Sequence, residues 1–437
     1  MNLIILFLNL SNNFTIDALS VISLILLTCM LFFHLKINNY SLTFSSFLVF
    51  YWLFLWLAPV LQISRFIIEG YFQNTISFDI EIVILALLSV ISFNFLFFMS
   101  YIFFKKVLPN YKEESSSIKY SSLTFRITTI LSVVILLVFM DEYLLMIGEN
   151  LLKNKMPIFQ ALIIKKTLFT IVLSSVIFYI VKRKYIRLGS LDVFFFLLAV
   201  ILLIIFKNPL IEKRNSIGVI LLVISFFSFP KMFNSNLKSF LFLSSSLFIV
   251  FPLSFFATHW RSISEKQSFT LDVIFENFYQ LHYDAFSNII ASINYVSAHG
   301  ITYGNQLLGG LLFFIPRSVW DGKPLNSGKM IGQYLMQKHN MWFDTLSLPF
   351  IGESILNFGP LGIVLFAFFL SIIVCFFEMI YFSKDFLVKS VSVYFSFHLI
   401  FLLRGDFTNA FAYFAGTVIG FYVIPKLINK LFKIRFY

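Results

Sequence analysis

The chain has 437 residues, 59% of them hydrophobic and only 12% charged, where soluble domains carry roughly a quarter charged residues, so a soluble fold is excluded. The formal net charge of +12 reports membrane topology before nucleic acid, because Lys and Arg sit in short clusters between apolar runs. Phe alone supplies 61 residues, and runs such as Val193 to Phe206 and Leu365 to Phe377 are continuous where a β-barrel would alternate.

A helix needs about 20 apolar residues to cross the hydrocarbon. In chain order such stretches fall near 16–35, 42–61, 79–104, 127–147, 160–181, 189–206, 215–230, 239–257, 357–382, 388–403 and 407–424. The fold class expected is an all-α polytopic membrane protein with about eleven transmembrane helices, within a range of roughly ten to twelve. Met1 to Leu10 lacks a basic start and a small-residue cleavage site, so no cleavable leader is expected; as an extra span it would bring the N-terminus inside.

Eleven spans put four basic clusters on one side. These are Lys105, Lys106, Lys112, Lys119 and Arg126; Lys182, Arg183, Lys184 and Arg187; Lys231 and Lys238; and Lys426, Lys430, Lys433 and Arg435. By the inside-positive bias that side is the cytoplasm. The chain then divides into helices 1–8 over residues 1–257, one large external connection over 258–356, and helices 9–11 with a basic cytoplasmic tail over 357–437. Cys29 and Cys375 lie in separate apolar spans, so neither a disulfide framework nor a Cys-rich metal site is available.

The external connection does not read as a linker. Apolar residues at 274, 278, 281, 285, 289, 293 and 296 follow the spacing of an amphipathic helix, with Asp272 as a prospective N-cap. On such a helix Asn277, Gln280, Asp284 and Asn288 share the polar face, and His282 lies nearly opposite, so His282 and Asp284 would not line one site. Pro316-Arg317-Ser318-Val319-Trp320-Asp321-Gly322-Lys323-Pro324 reads as a rigid turn holding a guanidinium and an ammonium close together. A short helix is expected over Ser327 to Lys338, then irregular backbone through Pro349, Gly352-Glu353 and Asn357-Phe358-Gly359-Pro360 up to the next span.

Arg214, Arg261, Arg317 and Arg404 stand at external boundaries or in the external connection, where basic residues should be depleted. Several guanidiniums with the nearby Lys323 suit a diphosphate at the bilayer surface, because the planar fork grips phosphate and keeps its charge when partly desolvated. The alternative is that they snorkel to head groups or pair with Glu212, Asp321 and Asp406. Carboxylates outside include Glu149, Asp284, Asp321, Glu353 and Asp406; transfer of a glycosyl group from a lipid diphosphate needs one general base, for which Asp284 and Glu353 are the candidates. No Asp-X-Asp pair, metal-spaced His cluster, P-loop or Ser/His/Asp set occurs, so neither a metal nor a cofactor is expected.

Tyr303-Gly304, Phe314 to Trp320, Lys323-Pro324 and Gly328, followed by Ile351-Gly352-Glu353 and Asn357 to Gly362, resemble the Wzy-type O-antigen polymerase family. Tyr283-Asp284, Arg214 and Arg404 are also similar to positions in that family, which often carries an Arg two residues before the Asp where this chain has His282. The resemblance implies a metal-independent, GT-C-like glycosyltransferase of the bacterial inner membrane with its active site facing the periplasm. It would polymerise oligosaccharide repeat units carried on undecaprenyl diphosphate, within membrane lipid, under a chain-length-regulating co-polymerase of the Wzz type, and without nucleic acid. Tyr303 and Trp320 join the expected glycan-binding set on the same basis. The competing expectations are an O-antigen ligase and a lipid-linked oligosaccharide flippase or other transporter, the latter disfavoured because charges gather externally and no internal repeat is visible.

Overall fold

A computed structural model describes residues 2, 5–6, 9–11, 13–36, 39–70, 76–108, 120–141, 143–144, 162–208, 212, 214–250 and 277–432, without the side chains of Phe66, Arg214, Asn215, Val250 and Asn277. Arg261, Asp272 and Glu149 therefore lie outside the described residues, and Arg214 is described by its backbone alone. The structure is 81% helix, with no strand among the described residues.

The α-helices run α1 (Phe14–Lys36), α2 (Leu42–Phe50), α3 (Ala58–Gln62), α4 (Ile80–Val107), α5 (Ser122–Val138), α6 (Leu168–Tyr185), α7 (Ser190–Phe206) and α8 (Arg214–Ser228). They continue as α9 (Asn236–Ser245), α10 (Ala285–His299), α11 (Asn305–Leu311), α12 (Ser327–His339), α13 (Phe350–Tyr381), α14 (Phe386–Arg404), α15 (Phe407–Val418) and α16 (Ile424–Leu431). Among the described residues, seven helical stretches are long and apolar enough to cross a bilayer: Phe14–Lys36, Leu42–Arg65, Ile80–Val107, Leu162–Tyr185, Phe350–Tyr381, Phe386–Arg404 and Phe407–Leu431. The other expected spans also form apolar helices, Ser122–Val138, Ser190–Phe206, Ser216–Ser228 and Asn236–Ile249, but these are only 10–17 residues long. The protein is thus a helical membrane-embedded protein.

The stretch Leu42–Arg65 is the central post, 94% buried inside the molecule against 39% for Phe14–Lys36. It starts where Ser41 accepts from Phe44 N and runs through π-helical turns at Tyr51–Leu57 and Ile63–Ile68. Two of its ring donors are satisfied from α1: Tyr51 donates to Ser23 O at 3.0 Å and Trp56 Nε1 to Ser20 O at 3.1 Å. A polar atom buried here without a partner would cost several kcal/mol.

Two ends of the bundle differ in charge chemistry. At one, Asp192 of α7 takes Arg126 at 2.7 Å and Lys182 at 2.5 Å, and Glu378 of α13 takes Tyr101 at 2.9 Å and Lys105 at 3.3 Å. Arg126, Lys182 and Lys105 are members of the basic clusters, fixed by buried carboxylates. The other end carries the segment 277–349 and the candidate site.

Two expectations are corrected here. The helix over 274–296 is not continuous: short 3-10 turns at Asn277–Tyr279 and Leu281–Tyr283 precede α10. The reason is Gln62 of the central post, whose amide donates to Phe278 O and, at 3.1 Å, to Tyr283 O, taking carbonyls that helical pairing would need. His282 and Asp284 still face different spaces, through this turn and not through opposite helix faces. The second correction concerns residues 350–358, which are helical, not irregular, so Gly352 and Glu353 belong to the first turns of α13. Helix α13 passes through Gly359 at φ 60 and ψ −140, a conformation that disfavours side chains. Pro360 cannot donate to Leu356 O, and that carbonyl instead accepts from Thr302 N at 2.9 Å while Asn357 O accepts from Gly304 N at 3.2 Å. The Gly-Pro pair therefore marks a kink that docks another segment, not a span boundary.

Candidate functional site

A cavity of about 400 Å³ opens at the site end, lined by Lys166, Asp284, Arg404 and Asp406, by the segment Trp342 to Ser347, and by Asn326, Asn409 and Tyr413. A second, apolar groove of about 90 Å³ runs beside it between α8 and α14, lined by Phe54, Gly218, Val219, Leu222, Phe397 and Ile400. Phe401 and Arg404 belong to the walls of both. The greasy space and the polar space therefore meet at one guanidinium.

Arg404 closes the last turn of α14, where a cation complements the helix C-terminus. It donates from Nε to His282 O at 3.0 Å, and from Nη2 to Leu281 O at 3.1 Å and Asp284 Oδ1 at 3.0 Å. Nη1 carries no hydrogen bond among the described residues. Both partners are largely buried, with side chains 14% and 12% exposed. Burial pushes the Asp284 carboxyl above the ordinary carboxylate range, and the Arg404 charge opposes that rise without cancelling it. His282 gives Arg404 its carbonyl.

Lys166 enters from the other side, in the π-helical turn Leu162–Thr167 just before α6. Its ammonium sits 3.5 Å from the Tyr413 ring centre and 3.2 Å from Asn409 Oδ1. Gly416 and Gly420 allow this approach: a Cβ at Gly416 would stand 2.3 Å from Lys166 O, and one at Gly420 2.0 Å from Thr170 Oγ1. Such a small-residue pair one helical turn apart is a common close-crossing device in membranes.

Asp406 caps two helices at once. Its Oδ1 accepts from Asn409 N at 3.2 Å in α15, and its Oδ2 from Gly328 N at 3.1 Å in α12. Burial raises the proton affinity of Asp406, and these backbone N–H groups pull it back. Glu353 in the first turn of α13 accepts from Ser327 Oγ at 2.7 Å and from Phe407 N at 3.3 Å. Groups at the N-termini of α12 and α15 thus donate into a pair of buried carboxylates. Glu353 is 2% exposed and is not part of the cavity wall.

Of the other expected residues, Tyr303, Arg317, Trp320 and Lys323 do not line the cavity, while Arg261 and the side chain of Arg214 lie outside the described residues. Lys323 donates to the carbonyls of Leu312 at 3.1 Å, Phe313 at 2.8 Å and Ile315 at 2.8 Å, using the whole ammonium as a cap on the chain after α11. Burial and the neighbouring Arg317 hold its proton affinity below that of an ordinary lysine. Arg317 donates to Lys323 O and to Pro324 O at 2.9 Å. Tyr303 is 83% exposed in the turn that meets the α13 kink, and Trp320 stands beside Gly322. The motif around them is architectural: Gly304 lies against Phe358, Gly309 against Pro324, Gly310 against Phe407, and Gly328 against Leu346 O, each too close for a Cβ.

The structure thus brings Asp284 and Arg404 together and adds Lys166, Asp406, Asn409, Tyr413 and Trp342. No set of three or more His, Cys, Asp or Glu side chains arranged to hold a metal ion occurs among the described residues. No protein-family model, no curated protein and no solved structure matches the chain.

Proposed function

We propose that this chain is a polysaccharide polymerase with about eleven spans and a GT-C-like architecture, working at the periplasmic face of a bacterial inner membrane on repeat units carried by undecaprenyl diphosphate. The observation that carries the reading is the junction at Arg404, where an apolar groove opens onto a polar cavity holding a second cation, Lys166. An isoprenoid diphosphate has that same division, a hydrocarbon tail joined to a dianionic head. In this reading the tail lies along α8 and α14, and the diphosphate reaches Arg404 and Lys166.

Asp284 takes the part of general base. It accepts the proton of an acceptor hydroxyl as that oxygen bonds to the anomeric carbon of the donor. The bond from that carbon to the diphosphate oxygen breaks, and the departing electron pair is stabilised by the guanidinium and the ammonium. Of the two carboxylates weighed for this role, Asp284 alone is on the cavity wall, which argues for it over Glu353.

The test is reconstitution of the full chain in liposomes with lipid-linked repeat units. Wild type is expected to give a ladder of chain lengths, and Arg404→Ala, reconstituted at an equal amount of folded protein, to leave single units. An unaltered ladder in Arg404→Ala would sink the assignment. In a deletion strain, loss of a polymerase leaves one attached repeat, loss of a ligase leaves none, and loss of a flippase strands the units on the cytoplasmic side.

A further inference from the structure

At the mouth of the polar cavity one large aromatic ring is left outside the core. Trp342 is 68% exposed and belongs to the cavity wall. Tryptophans of membrane proteins commonly face lipid head groups, whereas this indole stands on the wall of a polar cavity. The backbone beneath it is fixed. Helix α12 ends at Asn340 in the left-handed conformation, φ 53, which turns the chain sharply, and Met341 is buried directly before the tryptophan. Leu346 N donates to Gly328 O at 3.1 Å, and Asn288 Nδ2 donates to Ser347 O at 3.0 Å. Gly332 admits the same strap so closely that a Cβ there would stand 2.6 Å from the Asp344 carbonyl carbon. The Phe343 ring lies edge-on to the indole at 5.6 Å between centres.

Besides its charged residues, the cavity wall that Trp342 shares carries uncharged hydrogen-bonding side chains: Asn326, Thr345, Ser347 and Asn409. An aromatic face flanked by amides and hydroxyls is complementary to a pyranose ring, whose axial C–H groups present an apolar face and whose equatorial hydroxyls present an edge of donors and acceptors. A diphosphate alone has no use for such a surface. We propose that Trp342 is a stacking platform for a sugar ring of the substrate glycan, making the cavity mouth a glycan subsite separate from the anion site at Arg404 and Lys166. The inference rests on the reading of this chain as a glycan-handling enzyme.

The experiment is a pair of titrations on the full-length protein in nanodiscs, one with the oligosaccharide freed by mild acid from the producing strain's own lipid-linked units, the other with farnesyl diphosphate. Trp342→Ala is expected to weaken oligosaccharide binding about tenfold, with Trp342→Phe within about threefold of wild type, as loss of an aromatic contact predicts. Farnesyl diphosphate affinity should be the same in all three and should drop in Arg404→Ala. Wild-type oligosaccharide affinity in Trp342→Ala, equal losses for both ligands, or no oligosaccharide binding by wild type would each overturn the platform. Undiminished farnesyl diphosphate binding in Arg404→Ala would overturn the diphosphate reading and leave a selective Trp342 effect standing.

Discussion

Arg404 and Asp284 form the one ion pair on the wall of the polar cavity among the described residues. Breaking a buried pair from one side leaves an uncompensated charge and costs about 3 kcal/mol or more. Arg404→Ala is therefore expected to lower stability by that order, and Arg404→Ala with Asp284→Asn to recover part of it. Thermal unfolding of the singles and the double in one detergent measures the coupling, and strict additivity would show that the pair does not interact. The same pair sets a pH dependence. The folded protein holds the Asp284 proton more tightly than the unfolded chain does. Its contribution to stability is thus complete below the ordinary carboxylate range and is lost as pH rises through the raised value. Turnover runs the opposite way, since a base must be ionised, so activity should fall as pH drops through that same value. Asp284→Asn should reduce turnover by about 100-fold or more and remove one step from the stability profile. Asp406, whose proton affinity burial also raises, keeps its own step. Asp284 and Arg404 were legible in the sequence because both are charged residues at an apolar boundary. Lys166 obeys the same rule, as do Lys165 and Lys207, which also fall at outer ends of spans, so the rule alone does not single it out. Lys323 looked like a phosphate ligand by composition, and only the positions of the Leu312, Phe313 and Ile315 carbonyls show its ammonium engaged.

At the scale of elements, the site depends on joints between helices that carry no charge. The crossing at Gly416 and Gly420 holds α15 and its π-helical continuation Ile419–Val423 against Lys166 and Thr170. A leucine at Gly416 overpacks that contact, with an expected cost of about 1–3 kcal/mol and a displaced Lys166. The chain-length ladder should shorten or vanish, while Gly189→Ala, with nothing within 4 Å of its Cβ, leaves it intact. A normal ladder and unchanged melting in Gly416→Leu would refute the role of the crossing. Periodicity located most helices but misread two junctions. The turn before α10 is dictated by Gln62, more than two hundred residues away in sequence, and the α13 kink looks like a helix end unless Thr302 and Gly304 are seen receiving its freed carbonyls.

For the whole molecule, the arrangement predicts a sidedness. The buried carboxylates Asp192 and Glu378 gather Arg126, Lys182 and Lys105 at one end, and the polar cavity lies at the other. Single cysteines at Val319 and Tyr303, in a background lacking Cys29 and Cys375, should react with an impermeant maleimide on intact spheroplasts. A cysteine at Lys231 should react only after permeabilisation. The reverse pattern would invert the topology and remove the periplasmic reading.

Composition by itself determined that the chain lives in a bilayer, and apolar run lengths located its helices, because both follow from the free energy of moving residues between water and hydrocarbon, which is local. What only the tertiary structure decided is which charges share a space. Arg404, Asp284, Lys166 and Trp342 are dispersed over some 240 residues of chain, and their meeting is fixed by Gln62 holding a turn, two glycines admitting a neighbour, and Asp406 capping two helices. Those are contacts between distant segments, and no local pattern of residue types encodes them.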